Sequence, residues 1–330
     1  MTRIRCFLAL LLCVLLLTPA ALGDNRSGVG FFFDTVVTIN LYDAPDDLMP
    51  QIWEMCETYE NLLSKTVSGS DVDRINTAGG EPVKVSEETY AILTQALAVS
   101  ELTGGAFCVT IAPVTALWDF TDGTCRMPSE EELARTLPLV DDSRLQLLGD
   151  CTVRLDPGMM IDLGGIAKGY IADEIAGMVR ERASGGILSF GGNVYTVGQK
   201  PDGSLFGVGI RDPLGGAGDA CADIRVDDTS VVTSGIYERY FTKDGVIYHH
   251  ILDPVTGISA QSDLSAVTIV HDSSMLADAL ATACVVLGSE KALALMNDLQ
   301  VPAFLVTREG AYLYTDGFDT RYQLNIRIRR

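Results

Sequence analysis

The sequence predicts one compact unit in which strands and helices are mixed, and three observations predict it. Segments with the two-residue alternation of strands and segments with the 3.6-residue spacing of helices succeed one another along the chain. No proline-rich, low-complexity or charge-block linker separates them, and no 20-to-50-residue unit repeats. The 330 residues are 47% hydrophobic and 21% charged, enough to bury a proper core. Residues 28–330 are therefore read as a single functional unit.

The elements follow in order. Arg3 and Arg5 precede an unbroken apolar run from Cys6 to Leu17, and Thr18-Pro19-Ala20-Ala21-Leu22-Gly23 supplies the small residues that end a secretory signal. Segment 1–23 is thus expected to be a signal peptide, or an N-terminal membrane anchor if it is retained, with the rest of the chain working outside the cytoplasm. Phe31–Tyr42 alternates Thr, Val and Ile as a strand does, and Leu48–Leu63 has amphipathic helical spacing. Ser64–Gly80 is polar and suits a surface loop with a helical turn over Ser70–Asn76. A helix over Ser86–Leu102 starts at a capping serine and ends at Gly104-Gly105. Strands are predicted over Leu145–Leu148, Val153–Leu155 and Met159–Leu163, a helix over Ile166–Arg182, and strands over Gly186–Phe190 and Val194–Val197. The last third carries strand patterns at Leu205–Ile210, Ala222–Arg225, Ser230–Ser234, Gly245–Leu252 and Ser265–Val270. Helices over Ser274–Leu287 and Glu290–Leu299 and strands over Ala303–Thr307 and Ala311–Thr315 complete the pattern.

Charge and cysteine usage exclude two classes of partner. Lys and Arg total 24 against 44 Asp and Glu, so a net charge of −20 repels a nucleic-acid backbone, and no nucleic-acid partner is expected. With Cys6 and Cys13 in the leader, Cys56, Cys108, Cys125, Cys151, Cys221 and Cys284 remain. No two of these lie within four positions, so zinc spacing is absent. A chain of this length needs no disulfide framework, and Cys284 within an apolar helix reads as a core residue.

Four clusters carry chemistry. Met275–Leu287 is apolar all round except for Asp278 and Thr282, which stand i, i+4 on one face. A carboxylate in such a helix must be paired, hydrogen-bonded or bound to a cation. The helix alone leaves two readings level: an Asp that caps or faces water, or a metal site whose oxygen donors suit Mg²⁺. In the second cluster, Met159–Leu163 breaks at Gly164-Gly165 into a helix whose first turn holds Lys168. The helix dipole disfavours a cation there, so an ion pair with Asp162 or a bound phosphate is expected beside it. The spacing fits neither a Walker A loop nor a dinucleotide fingerprint. The third cluster joins Thr233–Tyr237 to Tyr248–Gly257, with His250 able to exchange a proton near neutral pH and Asp253 placed either to cap a turn or to act on substrate. The fourth, Leu102–Pro113, is a helix end running into an extended apolar segment.

Taken in order, Asp-Leu-Gly-Gly-Ile-Ala-Lys-Gly-Tyr (162–170), Gly-Gly-Asn (191–193), Ile-Arg-Asp-Pro (210–213), Thr-Ser-Gly (233–235), His-Ile-Leu-Asp-Pro-Val-Thr-Gly (250–257) and Ala-Asp-Ala-Leu-Ala-Thr-Ala (277–283) resemble the ApbE-type flavin transferases, the FAD:protein FMN transferases, over about residues 31–310. The resemblance implies an α+β fold of mixed sheets with flanking helices. It also implies an extracytoplasmic bacterial enzyme that uses Mg²⁺, splits FAD and esterifies FMN onto a Thr or Ser of an acceptor flavoprotein, with release of AMP. The usual acceptors are subunits of Rnf-type or sodium-pumping redox complexes. Carried over by motif, the metal ligands are the Gly165 carbonyl and the side chains of Asp278 and Thr282. Ala106, Phe107, Cys108, Asp162, Lys168 and Leu252 line the FAD site, and His250 activates the acceptor hydroxyl. The chain departs from the family at Cys108, where Asp is common, at Phe33-Asp34-Thr35, where Met-Gly-Thr is common, and near Thr66, where an aromatic residue grips adenine. Two alternatives are an FAD pyrophosphatase yielding FMN and AMP, and a non-catalytic flavin-binding protein of the envelope.

Overall fold

In the computed structural model, which describes residues 24–120, 126–216 and 218–327, the strand patterns assemble mainly into one eight-stranded antiparallel sheet. Its strands are β1 (Asp24–Phe32), β2 (Thr35–Ala44), β3 (Gly185–Phe190), β4 (Asn193–Gly198), β5 (Thr229–Gly235), β6 (Leu264–His271), β7 (Ala303–Thr307) and β8 (Tyr312–Tyr314), and they lie side by side in that order. The sheet is a meander interrupted by insertions. Residues 1–23, expected to be a signal peptide or anchor, and Cys125 lie outside the described residues.

Alternation buries both faces of the sheet. Val232 of β5, Val267 and Ile269 of β6, and Ala303 and Leu305 of β7 pack into a core covered by helices; Val231, Ala266, Val270, Phe304 and Val306, one position along, pack into a second core on the far side. Helices α1 (Leu48–Leu63), α2 (Glu87–Leu102), α3 (Ala167–Arg182) and α4 (Ser274–Leu287) form the first layer. The hairpin Phe206–Arg211 with Ala220–Val226, joined by Asn325–Ile326, covers the other face. Each large side chain fully removed from water there, such as Phe206, Phe304 or Phe318, contributes about 2 kcal/mol. The fold is α+β, as the resemblance implies.

The structure corrects several predicted elements. The strand expected over 31–42 is two strands, because Phe33 and Asp34, both at φ 56°, turn the chain back on itself. Met159–Leu163 is extended but pairs with no strand; the Asn76 side chain bonds both the N–H (2.7 Å) and the C=O (3.0 Å) of Ile161, and the Asp162 N–H donates to the Val109 carbonyl at 2.8 Å. The strand expected over 245–252 is shorter, Val246–His249, and pairs with Tyr240–Lys243. A helix over Glu130–Thr136 was not anticipated, although Ser129 and Glu132 form a capping box at its start.

Antiparallel register sets the position of the site. Phe32 pairs with Thr35, Val37 with Phe190, Phe190 with Asn193 and Val232 with Asn193, so the β1–β2 turn, the β3–β4 turn at Gly191-Gly192 and the C-terminal end of β5 all lie at one end of the sheet.

Candidate active site

At that end of the sheet is a cavity of about 630 Å³. The ten residues that the resemblance assigns to the metal, FAD and acceptor sites line it, namely Ala106, Phe107, Cys108, Asp162, Gly165, Lys168, His250, Leu252, Asp278 and Thr282, whereas Asp253 does not. They come from the end of α2, the Gly164-Gly165 turn, the loop after the small hairpin, and one face of α4.

The oxygen donors are gathered by the crossing of α3 and α4. Helix α4 starts at Ser273, whose hydroxyl accepts the Leu276 N–H at 3.2 Å, while Asp173 of α3 accepts the N–H groups of Ser274 (2.6 Å) and Met275 (3.0 Å). In return Asp278 of α4 accepts the Gly169 N–H in the first turn of α3 at 3.0 Å. Each helix thus places a carboxylate on the positive end of the other. Asp278 is 3% exposed, and no described residue donates to its second oxygen. Thr282, one turn on, has its hydroxyl 3.4 Å from that of Ser234, and a Cβ on Gly165 would stand 3.5 Å from the Thr282 hydroxyl. The two readings of Asp278 are therefore combined: it caps a helix and also opens onto a cavity beside Thr282 and Gly165. Among the described residues no group of three His, Cys, Asp or Glu could hold a metal; the hard donor set of one carboxylate, one hydroxyl and a glycine turn stands apart from that pattern.

The Asp162–Lys168 ion pair is not formed. Asp162 pairs with Lys65 at 2.5 Å and accepts the Gly164 N–H at 2.9 Å; although burial opposes its charge, Lys65 and that N–H hold its carboxyl below the usual range. Lys168 donates to the Gly164 carbonyl at 3.0 Å; burial raises the carboxyl of nearby Glu238 above its usual range, an effect that Lys168 and Arg239 partly offset. Lys65, Glu238 and Arg239 line the cavity and were not singled out in the sequence. Glu238 and Arg239 follow directly on the Thr233–Tyr237 cluster, which was a usable signal; Lys65 lies 97 positions from its partner, and nothing local marked it.

His250 sits in the cavity wall. Burial, reinforced by Arg239, His249 and Lys168, lowers its pKa to about 3, so the imidazole is neutral near pH 7, and its Nδ1 is buried without a hydrogen-bond partner. His249 is a core residue, with Nε2 3.0 Å from the Ala260 carbonyl. Asp253 caps its turn, accepting the Val255 N–H at 2.8 Å. Cys108 donates to Asp142 at 3.1 Å, and burial together with that carboxylate pushes its thiol up to about 12. Asn193 is 1% exposed, lines the cavity, and leaves its side-chain N–H₂ without a partner.

Comparison with known proteins bears on the family and the fold. Residues 33–305 match the model of the ApbE family. A FAD:protein FMN transferase of Treponema pallidum is 37% identical over 267 residues, covering 76% of this chain and 74% of that protein. One from Klebsiella pneumoniae is 32% identical over 294 residues, covering 87% and 91%. Among solved structures, an ApbE protein from Thermotoga maritima superposes with a TM-score of 0.85 at 32% identity, covering 90% of this chain and 99% of that one. The apo flavinyl transferase ApbE of Pseudomonas stutzeri superposes with a TM-score of 0.81 at 29% identity, covering 90% and 96%.

Proposed function

The chain belongs to the ApbE family and is a FAD:protein FMN transferase, and from that premise we propose that transfer depends on Mg²⁺, that the acceptor atom is a Thr or Ser hydroxyl oxygen, and that AMP leaves. The observation that carries this reading is the meeting of Asp278, Thr282 and Gly165 on one cavity wall with Lys168, Arg239 and His250 also lining it. A donor set of oxygens alone, one of them anionic, fits Mg²⁺. Those three residues would hold the ion, which when bound supplies charge neutralisation to the FAD pyrophosphate and to the departing phosphate.

The chain's own residues account for the remainder. Lys168 and Arg239 bind the pyrophosphate oxygens, and Asp162 with Lys65 fixes the Gly164-Gly165 turn against the dinucleotide. His250, neutral at pH 7, accepts the proton of the acceptor hydroxyl. The hydroxyl oxygen bonds to the phosphorus of the FMN half, and the bond from that phosphorus to the bridging oxygen breaks with its electron pair leaving on AMP. Lys168 and Arg239 both depress the His250 pKa, so a pyrophosphate that neutralises them raises His250 toward the range useful to a base. The work is done outside the cytoplasm, with segment 1–23 as signal or tether, on flavoprotein subunits of Rnf-type or sodium-pumping complexes; Arg3, Arg5 and the apolar run support that location.

The test incubates the purified protein with FAD, Mg²⁺ and a flavoprotein acceptor domain. The acceptor should gain the mass of FMN as AMP appears, and a chelator should stop both. Full turnover in chelator-treated buffer would remove the metal assignment. Free FMN with unmodified acceptor would make the protein a pyrophosphatase, and FAD binding without AMP release a binding protein.

A further inference from the structure

We propose that a second groove, between the C-terminal end of α2 and the Asp253–Gly257 turn, seats the polypeptide that carries the acceptor hydroxyl, as an extended stretch with an aliphatic side chain and a Lys or Arg beside the modified residue. The inference rests on the reading of the neighbouring cavity as the FMN-transfer site. The groove holds about 790 Å³, within the range of ligand sites, and Cys108 and Pro254 line both it and the FAD cavity. Its place fits a second substrate. His250 and Leu252 face the FAD cavity, Pro254 lies between, and Val255 lines the groove alone. Five residues of extended chain span at most about 18 Å, so a segment lying in the groove brings a hydroxyl a few residues along it to His250.

The lining says what such a segment carries. Leu97, Leu137, Val140 and Leu145 give it an apolar wall. Val255, at 82% exposure the most exposed large hydrophobic side chain among the described residues, stands beside it on a fixed turn: the Asp253 side chain accepts the Val255 N–H at 2.8 Å, and Trp118 Nε1 donates to the Gly257 carbonyl at 2.9 Å. Charge separates the two spaces. The FAD cavity carries Lys65, Lys168 and Arg239, which suit phosphates, whereas no described Lys, Arg or His lines the groove. Glu101, Asp141 and Asp142 line it instead, and Asp142 is already engaged by the N–H groups of Val109 and Thr110. Helix α2 has no basic residue in its last turn to offset the negative end of its dipole, and Gly104 and Gly105 follow with bare backbone whose carbonyls receive no bond from any described residue. Such a wall disfavours a pyrophosphate and suits the N–H groups and cationic side chain of a peptide.

The test measures FMN transfer to the flavoprotein acceptor domain by wild type, Val255→Asn and Glu101→Lys. Both positions are exposed, so neither melting temperature should fall. KM for the acceptor domain should rise about tenfold in each, with kcat at saturating acceptor and the Kd for FAD unchanged. The effect of Glu101→Lys should shrink between about 50 and about 500 mM salt, while that of Val255→Asn persists. The inference is overturned if both variants keep the wild-type KM for the acceptor, or if the Kd for FAD rises in step with it, which would give the groove to the nucleotide. A wild-type dimer that Val255→Asn dissociates would also overturn it, since a second copy would then cover the groove. Wild-type protein that binds FAD yet labels no acceptor overturns the transfer reading itself, whereas transfer undisturbed by the two substitutions overturns only the groove.

Discussion

In the proposed site Asp278 spends one carboxylate on two tasks: one oxygen caps α3 through Gly169, and the other would take a cation. Asparagine would keep an acceptor for the Gly169 N–H and lose the charge, which separates the tasks. Asp278→Asn should therefore melt within about 1 kcal/mol of wild type yet lose FMN transfer by about a hundredfold or more. Mg²⁺ at a hundred times its Kd should stabilise wild type by about 3 kcal/mol and leave the variant unmoved. A variant that melts early without Mg²⁺ would mean that the carboxylate serves the helix alone. At this scale the sequence was informative where a residue was out of character with its neighbours, as Asp278 is in an apolar helix and Lys168 is at a helix start. It was silent on Lys65, whose carboxylate partner lies far along the chain, and on the fate of Cys108. The structure shows that thiol to be a half-buried donor to Asp142, which already accepts the Val109 and Thr110 N–H groups. With its thiol pushed up to about 12, Cys108 should resist iodoacetamide at pH 8 in the folded protein and react once it is unfolded, and rapid alkylation of the native state would contradict that upward shift.

Between elements, the decisive contact is the crossing of α3 and α4. Gly169 allows it, because a Cβ there would stand 2.3 Å from the Ser274 carbonyl oxygen and 2.6 Å from the Met275 Cα, both backbone atoms of the facing helix. Gly169→Ala should cost about 3 kcal/mol or more and lengthen the bond to Asp278, so activity should fall further than the stability loss alone explains. Gly177→Ala in the same helix, where a Cβ meets nothing within 4 Å, is the control and should leave both properties unchanged or improve stability. Measured melting curves and transfer rates for the pair decide it; equal behaviour of the two would remove the close-packing argument. Helices α1 to α4 were legible because each is a long periodic segment, and α2 also carries clear end signals in Ser86 and Gly104-Gly105. Strand partners were less so. Met159–Leu163 has a strand's pattern but finds an asparagine side chain instead of a neighbouring strand, and Phe33-Asp34 lacks the glycine that normally marks a two-residue turn, so two strands looked like one.

Across the whole molecule, excess acid coexists with a site whose walls carry Lys65, Lys168 and Arg239, and two histidines, His250 in the cavity wall and His249 buried in the core, make stability depend on pH. His249 and His250 are held neutral, with burial as the leading cause, at pKa values of about 4 and about 3 against 6.5 for a free histidine. Below 6.5 the unfolded chain binds protons at these positions that the folded chain refuses, so these two groups make stability rise with pH across that window. Their contribution is complete above 6.5 and declines as the solution is acidified toward 4 and then 3, the reverse of what an ion-paired histidine would give. Thermal unfolding followed from pH 7.5 to 5 should show a falling melting temperature over an interval where most carboxylates have not yet titrated. Replacing both histidines with alanine should flatten that limb even though the variant starts from a lower melting temperature. Burial raises the carboxyls of Asp173, Glu174 and Glu238, which stabilise the fold in the opposite sense on acidification, so the decisive reading is the difference between wild type and the double variant. Equal slopes in the two would show that the imidazoles are not held neutral in the folded state.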